Sequence, residues 1–298
     1  MLAAQAGVVL PSQLVEISDE RLGSVRLLLK RDDLIHPDLS GNKWRKLEHV
    51  LLDARATGAS TLLTFGGAYS NHIRAVAAAG RIFGFRTIGV IRGEERPYNA
   101  SLARAVADGM RLHYLDRATY RRKHEPAVID QLRARFGDFY LIPEGGTTAL
   151  ALRGLRRLLD EITEPFDLIC CPVGTGGTLA GLAAGLHPGQ RALGFSVLRG
   201  ARSLDADVAA LHQAGLGRRL DNWAINHDFH FGGFARRPAE LDWFIRDFEE
   251  RHGVRLEHVY VAKMMAGLFT LVGRGEIEQG ATVVALITGP PFPPVATT

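Results

Sequence analysis

Cysteine is almost absent from the sequence. The two cysteines in 298 residues, Cys170 and Cys171, stand side by side in an apolar run. Two adjacent residues cannot supply the disulfide framework that stabilises small secreted domains. On a β-strand they would point to opposite faces. We therefore predict two reduced structural thiols and a reducing compartment.

Long apolar runs are also missing. No stretch approaches the roughly 20 residues that span a bilayer, and no basic residue precedes the apolar N-terminal segment, as one would in a signal peptide. The 36 Lys and Arg against 32 Asp and Glu leave a formal charge of only +4. The densest basic cluster, residues 117–123 (RATYRRK), is typical of a solvated helix face. We expect a cytoplasmic protein with no membrane or nucleic-acid partner.

Several catalytic signatures are lacking. In GTGGTLAG, Leu179 stands where a dinucleotide fingerprint has its third glycine, and no Gly-Lys-Ser/Thr ends a phosphate loop. The sequence has neither HExxH nor GxSxG. His227 and His230 have no evident third metal ligand, so we interpret them as structural and predict no metal site. The common hydrolase, kinase and metalloenzyme functions thereby lose their main support.

What the sequence does contain is an alternation of short β-rich runs and helix-like segments from residue 60 onward. This alternation predicts βαβ units and an α/β fold with a parallel sheet covered on both faces. Glycines follow several predicted strands, at 66–67, 145–146 and 174–177. Ligands bind beyond the carboxyl ends of parallel strands, so these glycines outline one crevice. Any one cluster alone is more typical of a tight turn.

The strongest local signal is residues 40–47, SGNKWRKL. Trp44 and Leu47 continue a helix with a buried face, which places Lys43 near the positive N-terminal end of the helix dipole. An amine that forms a Schiff base must lose its proton from an unperturbed pKa near 10.4, and desolvation assists this. Lys43 is therefore a candidate imine-forming amine, although a lysine at a helix start is more often simply solvated.

Two further segments place polar groups after strands. In GGAYSNHIR, Ser70 and Asn71 open an alanine-rich helix, where they are typical either of N-capping or of ligand contact. In PVGTGGTLAG, residues 174–178 form a glycine turn whose free amides and threonine hydroxyls suit a phosphate monoester. A cofactor such as pyridoxal phosphate fits all three segments, since it has an aldehyde, a phosphate and a ring oxygen.

At this point the sequence resembles a known family. SGNKWRKLE, GGAYSNHIR, PVGTGGTLAGL, FHFGGFARRPAELDWFI and VYVAKMMAGL followed by ITG occur in the order found in pyridoxal-phosphate enzymes of the 1-aminocyclopropane-1-carboxylate deaminase and D-cysteine desulfhydrase family. The resemblance implies a tryptophan-synthase-β-like α/β fold with the cofactor in the cleft between two domains. The large domain would comprise residues 1–52 and 144–298, and the small inserted domain residues 53–143. It also implies a homodimer.

By motif position, the resemblance implies a set of site residues. Lys43 would form the Schiff base, Asn71 would contact the phenolic oxygen of the cofactor, and Ser70 would lie on the substrate side. Tyr260 would lie beside the cofactor ring and Thr288 at the ring nitrogen. The expected catalytic residues are Lys43, Ser70 and Tyr260. The remaining expected cofactor contacts are Gly174, Thr175, Gly176, Gly177 and Thr178, and the expected substrate contacts are Tyr69, Ser70, Asn71 and His72.

Departures from the family pattern bear on the substrate. Tyr69 stands where the family usually has glutamine, Val261 where the cyclopropane deaminases carry an acid, and Phe234 where they have a second active-site tyrosine. Phenylalanine cannot donate a proton. We therefore expect elimination and deamination of D-cysteine or another small amino acid, with opening of the cyclopropane amino acid as the alternative. A racemase, a β-replacement synthase and a non-catalytic binding protein remain further alternatives.

Overall fold

The computed structural model describes residues 2–39, 41–95 and 97–289. Two β-sheets organise these residues, which confirms the prediction of an α/β fold. The larger sheet has the order β1-β2-β10-β7-β8-β9, and all its strand pairs are parallel except β1 with β2. Its strands are β1 Leu14–Ile17, β2 Arg26–Lys30, β7 Leu168–Val173, β8 Arg191–Ser196, β9 Trp223–Asn226 and β10 Thr282–Leu286.

The smaller sheet has four parallel strands in the order β5-β4-β3-β6. Its strands are β3 Thr61–Gly66, β4 Arg86–Arg92, β5 Met110–Leu115 and β6 Tyr140–Ile142. All four fall inside the segment predicted as the small domain. The predicted boundary at residue 52 lies within a helix that continues to Ala56, and the division into two domains stays a prediction.

Eleven helices occur among the described residues, and most lie beside the two sheets. They are α1 Leu2–Ala6, α2 Asn42–Ala56, α3 Asn71–Phe83, α4 Ala100–Ala107, α5 Arg117–Arg121, α6 Pro126–Phe136, α7 Ala149–Leu159, α8 Gly177–Ala183, α9 Ser203–Leu216, α10 Ala239–His252 and α11 Val261–Gly273. None of them has the length and apolar character needed to cross a lipid bilayer.

The strands of the larger sheet are apolar on both faces, as parallel strands buried between helix layers should be. Leu27 and Leu29 of β2 join one core cluster, while Leu28 joins the cluster on the opposite face. Cys170 and Cys171 on β7 divide in the same way, and both are free thiols. This confirms their predicted structural role.

Candidate active site

The carboxyl ends of strands from both sheets surround one cavity of ≈ 270 Å³. Thr288 follows β10, and Gly174 follows β7. Glu144 follows β6, and Arg92 ends β4. The cavity therefore lies where parallel sheets place their ligands. Predicted site residues that line it are Lys43, Ser70, Asn71, His72, Gly174, Thr175, Gly176, Thr178, Tyr260 and Thr288.

Lys43 enters the cavity from the first turn of α2. Gly41, with φ of 65°, begins this turn, and a Cβ atom there would lie 1.6 Å from the Thr288 carbonyl oxygen. Only glycine lets the two chain segments come this close. The Lys43 side chain is partly exposed because it opens on the cavity. Desolvation nevertheless lowers the pKa of its amine to about 8, so about a tenth of the amine is neutral at pH 7 and about half at pH 8.

A buried ion cluster holds α2 in place. The Arg45 guanidinium donates to Asp32 at 2.9 Å and also to Glu161, and Lys30 Nζ lies 3.0 Å from the same Glu161. Arg45 is 3% exposed, and Asp32 and Lys30 are fully buried. Because α2 carries Lys43, this cluster fixes where the amine stands relative to the larger sheet.

The glycine turn after β7 leads into α8, which begins at Gly177. Backbone N–H groups in the first turn of a helix have no partner within the helix, so they are available to an anion. A Cβ atom at Gly177 would lie 2.8 Å from Thr147 Oγ1 and 3.1 Å from Lys46 Nζ. Glycine therefore keeps the turn and the buried Lys46 amine close together.

Lys46 is a site residue that the sequence reasoning missed. It is 2% exposed, it lines the cavity, and its amine donates to the Gly145 carbonyl at 3.2 Å. Burial, with the neighbouring Lys43 charge, holds its pKa well below the usual value. An anion bound in the glycine turn would raise the Lys46 pKa again, because its negative charge would offset the desolvation and the repulsion from Lys43. The available signal was its position three residues after Lys43, on the same helix face.

On the side of the smaller sheet, Ser70 caps α3 by accepting a hydrogen bond from the Ile73 amide. His72 is 1% exposed, and its Nε2 lies 2.8 Å from Thr64 Oγ1. Thr64 donates its single hydroxyl proton to Ile142, so Nε2 of His72 must be the donor in their contact. Burial and the nearby lysines keep the His72 pKa well below its usual value, so the ring is neutral.

Tyr69 departs from the predicted substrate contacts. Its side chain is 54% exposed, and it is not among the residues that line the cavity. The turn before α3 directs Ser70 toward the helix N-terminus, where it acts as the cap, and leaves its neighbour facing outward.

Tyr260 lies against the glycine turn, where a Cβ atom at Gly174 would approach its ring to 3.1 Å. Burial raises the Tyr260 pKa above its usual value, so the phenol keeps its proton. The Glu257 carboxylate accepts hydrogen bonds from the Val259 amide at 2.5 Å and the Tyr260 amide at 2.8 Å. The sequence reasoning missed this buried carboxylate, which fixes the backbone that carries Tyr260.

Phe234 packs edge-on against Tyr260, with ring centroids 5.9 Å apart, and lines the cavity. It belongs to a tight loop that contains two non-glycine residues with positive φ, Phe231 and Ala235. The Lys263 amine donates to two carbonyls of this loop, those of His230 at 2.9 Å and Gly233 at 2.6 Å. Lys263 is therefore a buried support for the Phe234 wall of the cavity, and its role was not evident from the sequence.

The smaller sheet also contributes charged residues that the sequence reasoning overlooked. Arg92 and Glu144 line the cavity, and Lys123 lies 3.2 Å from the Glu144 carboxylate. The side chain of Lys123 is only 13% exposed. For this residue, the interpretation of 117–123 as a solvated helix face is wrong, because the chain turns inward after α5 and pairs it with Glu144.

The arrangement suits a ligand with a phosphate at one end and an electrophilic carbon at the other. A desolvated amine and an amide-lined anion site with its own lysine open on one cavity. His72 Nδ1 is buried there without a hydrogen-bond partner among the described residues. These features fit the aldehyde, phosphate and polar ring substituents of pyridoxal phosphate, the cofactor predicted from the sequence.

Comparison with known proteins agrees with this chemistry. The family described as pyridoxal-phosphate dependent enzyme matches residues 7–289. A protein of Pyrococcus horikoshii, provisionally named a 1-aminocyclopropane-1-carboxylate deaminase, is 31% identical over 272 residues, which cover 88% of this chain and 83% of that protein. D-cysteine desulfhydrase of Salmonella newport is 28% identical over 285 residues, covering 88% and 86% of the two chains.

Solved structures give the same result for the fold. The crystal structure of a homologue of 1-aminocyclopropane-1-carboxylate deaminase has a TM-score of 0.83 and 28% identity, and the match covers 95% of this chain and 90% of the other. A hydrogen sulfide-producing enzyme of Fusobacterium nucleatum has a TM-score of 0.73 at 12% identity, with 98% of each chain covered. At that identity the second match speaks for the fold alone.

Proposed function

Because the chain belongs to the pyridoxal-phosphate-dependent enzymes, we propose that it eliminates the β-substituent of a small amino acid and releases a 2-oxo acid and ammonia. D-cysteine is the first proposed substrate, and its elimination with water would give pyruvate, hydrogen sulfide and ammonia. The alternative is 1-aminocyclopropane-1-carboxylate, which would give 2-oxobutanoate and ammonia. The single observation that carries the proposal is that Lys43 and the glycine turn of α8 open on the same cavity.

The chain's own residues have distinct proposed roles toward the cofactor. Lys43 would hold the aldehyde carbon, while the first turn of α8 and Lys46 would hold the phosphate. Asn71 and Thr288 line the cavity, where they would hold the ring oxygen and the ring nitrogen of the cofactor. The bound cofactor supplies an electron sink that stabilises negative charge at the α-carbon of the substrate. A threonine hydroxyl cannot keep the ring nitrogen fully protonated, which favours elimination over reactions that need a long-lived carbanion.

The substrate is oriented by the first turn of α3. Its carboxylate accepts hydrogen bonds from Ser70, Asn71 and free backbone amides, at the positive end of the helix dipole. Lys43 then takes the α-proton as general base, which its lowered pKa permits near neutral pH. Tyr260 keeps its proton and can donate it to the departing group.

Elimination is favoured over ring opening by the residue that faces Tyr260. Phe234 lines the cavity there, and its ring has no proton to donate. Tyr69 is outside the cavity lining, so Tyr260 is the one phenol that lines it among the described residues. Opening a cyclopropane ring would have to proceed without a second phenol.

The proposal is tested by incubating the holoenzyme with D- and L-cysteine, D- and L-serine derivatives and the cyclopropane amino acid, and assaying pyruvate, 2-oxobutanoate and ammonia. We expect pyruvate and ammonia from at least one β-substituted member. Production of 2-oxobutanoate alone would favour the deaminase alternative. Exchange of the α-proton for deuterium without ammonia release would instead favour a racemase or a β-replacement synthase. Neither exchange nor product from any member would favour a non-catalytic binding protein.

The homodimer and the cytoplasmic location are also proposals. The first comes from the family resemblance, and the second from the low cysteine content and the short apolar runs of the sequence. Size-exclusion chromatography with light scattering tests the first, with about twice the chain mass of 32.5 kDa expected.

A further inference from the structure

Four residues on the smaller-sheet side have no part in the chemistry described above: Arg92, Tyr120, Lys123 and Glu144. Arg92 ends β4, and Glu144 follows β6, the strands on either side of β3. Both line the same cavity as Lys43. They therefore flank the turn that leads into α3, where the substrate carboxylate is proposed to bind.

The charges of these residues do not cancel. Glu144 is paired with Lys123 at 3.2 Å, and the Lys123 amine also lies 4.9 Å from the centre of the Tyr120 ring. No carboxylate lies within ion-pair distance of the Arg92 guanidinium in the described part of the chain. Lys123 thus neutralises Glu144, the one acid that lines the cavity among the described residues. Within the described ranges, the exposed Arg92 side chain keeps an unpaired positive charge at this side of the cavity.

A buried hydroxyl lies beside the Glu144 carboxylate. Tyr120 is 2% exposed, its ring packs edge-on against Phe65 at 5.9 Å, and its hydroxyl faces Glu144. Burial, reinforced by the neighbouring Glu144 carboxylate, raises the pKa of Tyr120, so the hydroxyl keeps its proton. Glu144 is therefore engaged by both Lys123 and Tyr120, which leaves it less available to Arg92.

The other anion positions in the cavity already have partners. The phosphate of the cofactor is assigned to α8 and Lys46, and the substrate carboxylate to the first turn of α3. We propose that Arg92 is the centre of a third anion subsite, which binds a negatively charged group on the side chain of the substrate. This inference rests on the proposed function and narrows its substrate class to amino acids with an anionic β-substituent, such as a phosphate ester.

Elimination from such a substrate balances in atoms and electrons. Lys43 takes the α-proton, the electron pair of that bond becomes the second bond between Cα and Cβ, and the Cβ–O bond breaks with its electrons on the departing phosphate. The enamine product then reacts with water. The overall reaction converts O-phosphoserine and water into pyruvate, ammonia and phosphate, with no oxidant or reductant.

The test compares O-phosphoserine with O-acetylserine, both enantiomers of each, since the two differ in the charge of the leaving group. We expect the holoenzyme to prefer the phosphate ester. Arg92→Gln should lower the ratio of the two kcat/KM values by about 10- to 100-fold, the effect of losing a charge-assisted hydrogen bond. Arg86→Gln, at the opposite end of β4 and exposed, is the matched control and should leave the ratio unchanged.

A binding measurement separates this inference from the proposed function. Aspartate and asparagine have nearly the same shape, and their dissociation constants can be read from the cofactor absorbance without turnover. Arg92→Gln should remove the preference for aspartate, and Arg92→Lys should restore part of it. An equal loss for charged and neutral ligands would place Arg92 at the common carboxylate and overturn the subsite, as would no change at all. If no amino acid yields a 2-oxo acid, the proposed function fails while this binding result still stands.

Discussion

The two walls of the cavity are built differently. The larger-sheet wall uses backbone amides, glycines and the desolvated amines of Lys43 and Lys46, whereas the smaller-sheet wall includes the exposed Arg92 and the partly exposed Glu144. Backbone groups cannot be exchanged by substitution, but side chains can. The difference accords with the proposed roles, in which the first wall holds the cofactor and the second wall contacts the substrate.

The ion pairs behind the two walls differ in the same way. Arg45, Asp32 and Lys30 behind the larger-sheet wall are almost fully buried. Behind the smaller-sheet wall, Arg104 pairs with Asp38 while its own side chain is 49% exposed. Buried pairs lose far more when one partner is removed, because the other charge stays in a low-dielectric interior. The position of Lys43 should therefore be rigid, and the opposite wall should be able to shift.

The largest expected effect is at Lys43. Lys43→Ala removes both the amine that binds the aldehyde and the proposed base, so the visible absorbance of the holoenzyme should disappear and turnover should fall by at least about 10²- to 10⁴-fold. Lys46→Ala is the comparison on the same wall, and it should weaken cofactor binding while leaving an absorbance band at saturating cofactor. Retained turnover in Lys43→Ala would contradict the role assigned to this residue.

Next in size is the loss of the buried ion cluster. Arg45→Met leaves Asp32 buried without its main partner, and we expect the free energy of unfolding to fall by about 3–5 kcal/mol. Arg104→Met in the exposed pairs should cost less than about 1 kcal/mol. Urea denaturation of both variants measures the difference. Equal losses would remove the contrast between the two sides of the molecule.

Glu257 should make the free energy of unfolding depend on pH, with a change somewhat smaller than the one expected for Arg45→Met. Burial raises its pKa from 4.5 to about 7, so the folded state holds this proton more tightly than the unfolded state. The resulting stabilisation is fully present below pH 4.5 and is lost as the pH rises to about 7. Relative to Glu257→Gln, the wild type should lose about 3 kcal/mol of unfolding free energy across that range.

The control for Glu257 is Glu250→Gln, an exposed site on α10. Its unfolding free energy should follow that of the wild type at every pH. If the unfolding free energies of Glu257→Gln and the wild type change in parallel with pH from 4 to 8, the Glu257 carboxylate does not take up a proton on folding in this range. Its pKa is then not raised as described.

The contrast between the two cavity walls also explains which parts of the molecule could be predicted from the sequence. Strands and helices such as Leu168–Val173 and Asn71–Phe83 were predictable because hydrophobic runs and glycine turns are local signals. Lys43 and the glycine turn after β7 were predictable because cofactor chemistry restricts residue type and spacing. Arg92 was not predictable, since no glycine cluster or motif marks the end of β4. The segment that carries Glu144 was predictable, because the glycines at 145–146 outline the crevice, but no motif marked the Glu144 side chain itself. Lys263 was missed for the same reason.

The smallest expected effect is at Tyr69, where the sequence suggested a departure of consequence and the structure places an outward-facing ring. Tyr69→Gln should change kcat/KM for the best substrate by less than about threefold, the usual range for a surface substitution outside a site. Phe234→Tyr, the same kind of reversion inside the cavity, is the comparison, and steady-state kinetics should show the larger change there. A larger effect at Tyr69 would mean that the turn before α3 moves inward when substrate binds. Such a movement is expected of the smaller-sheet wall, and it is not expected of the wall that holds Lys43.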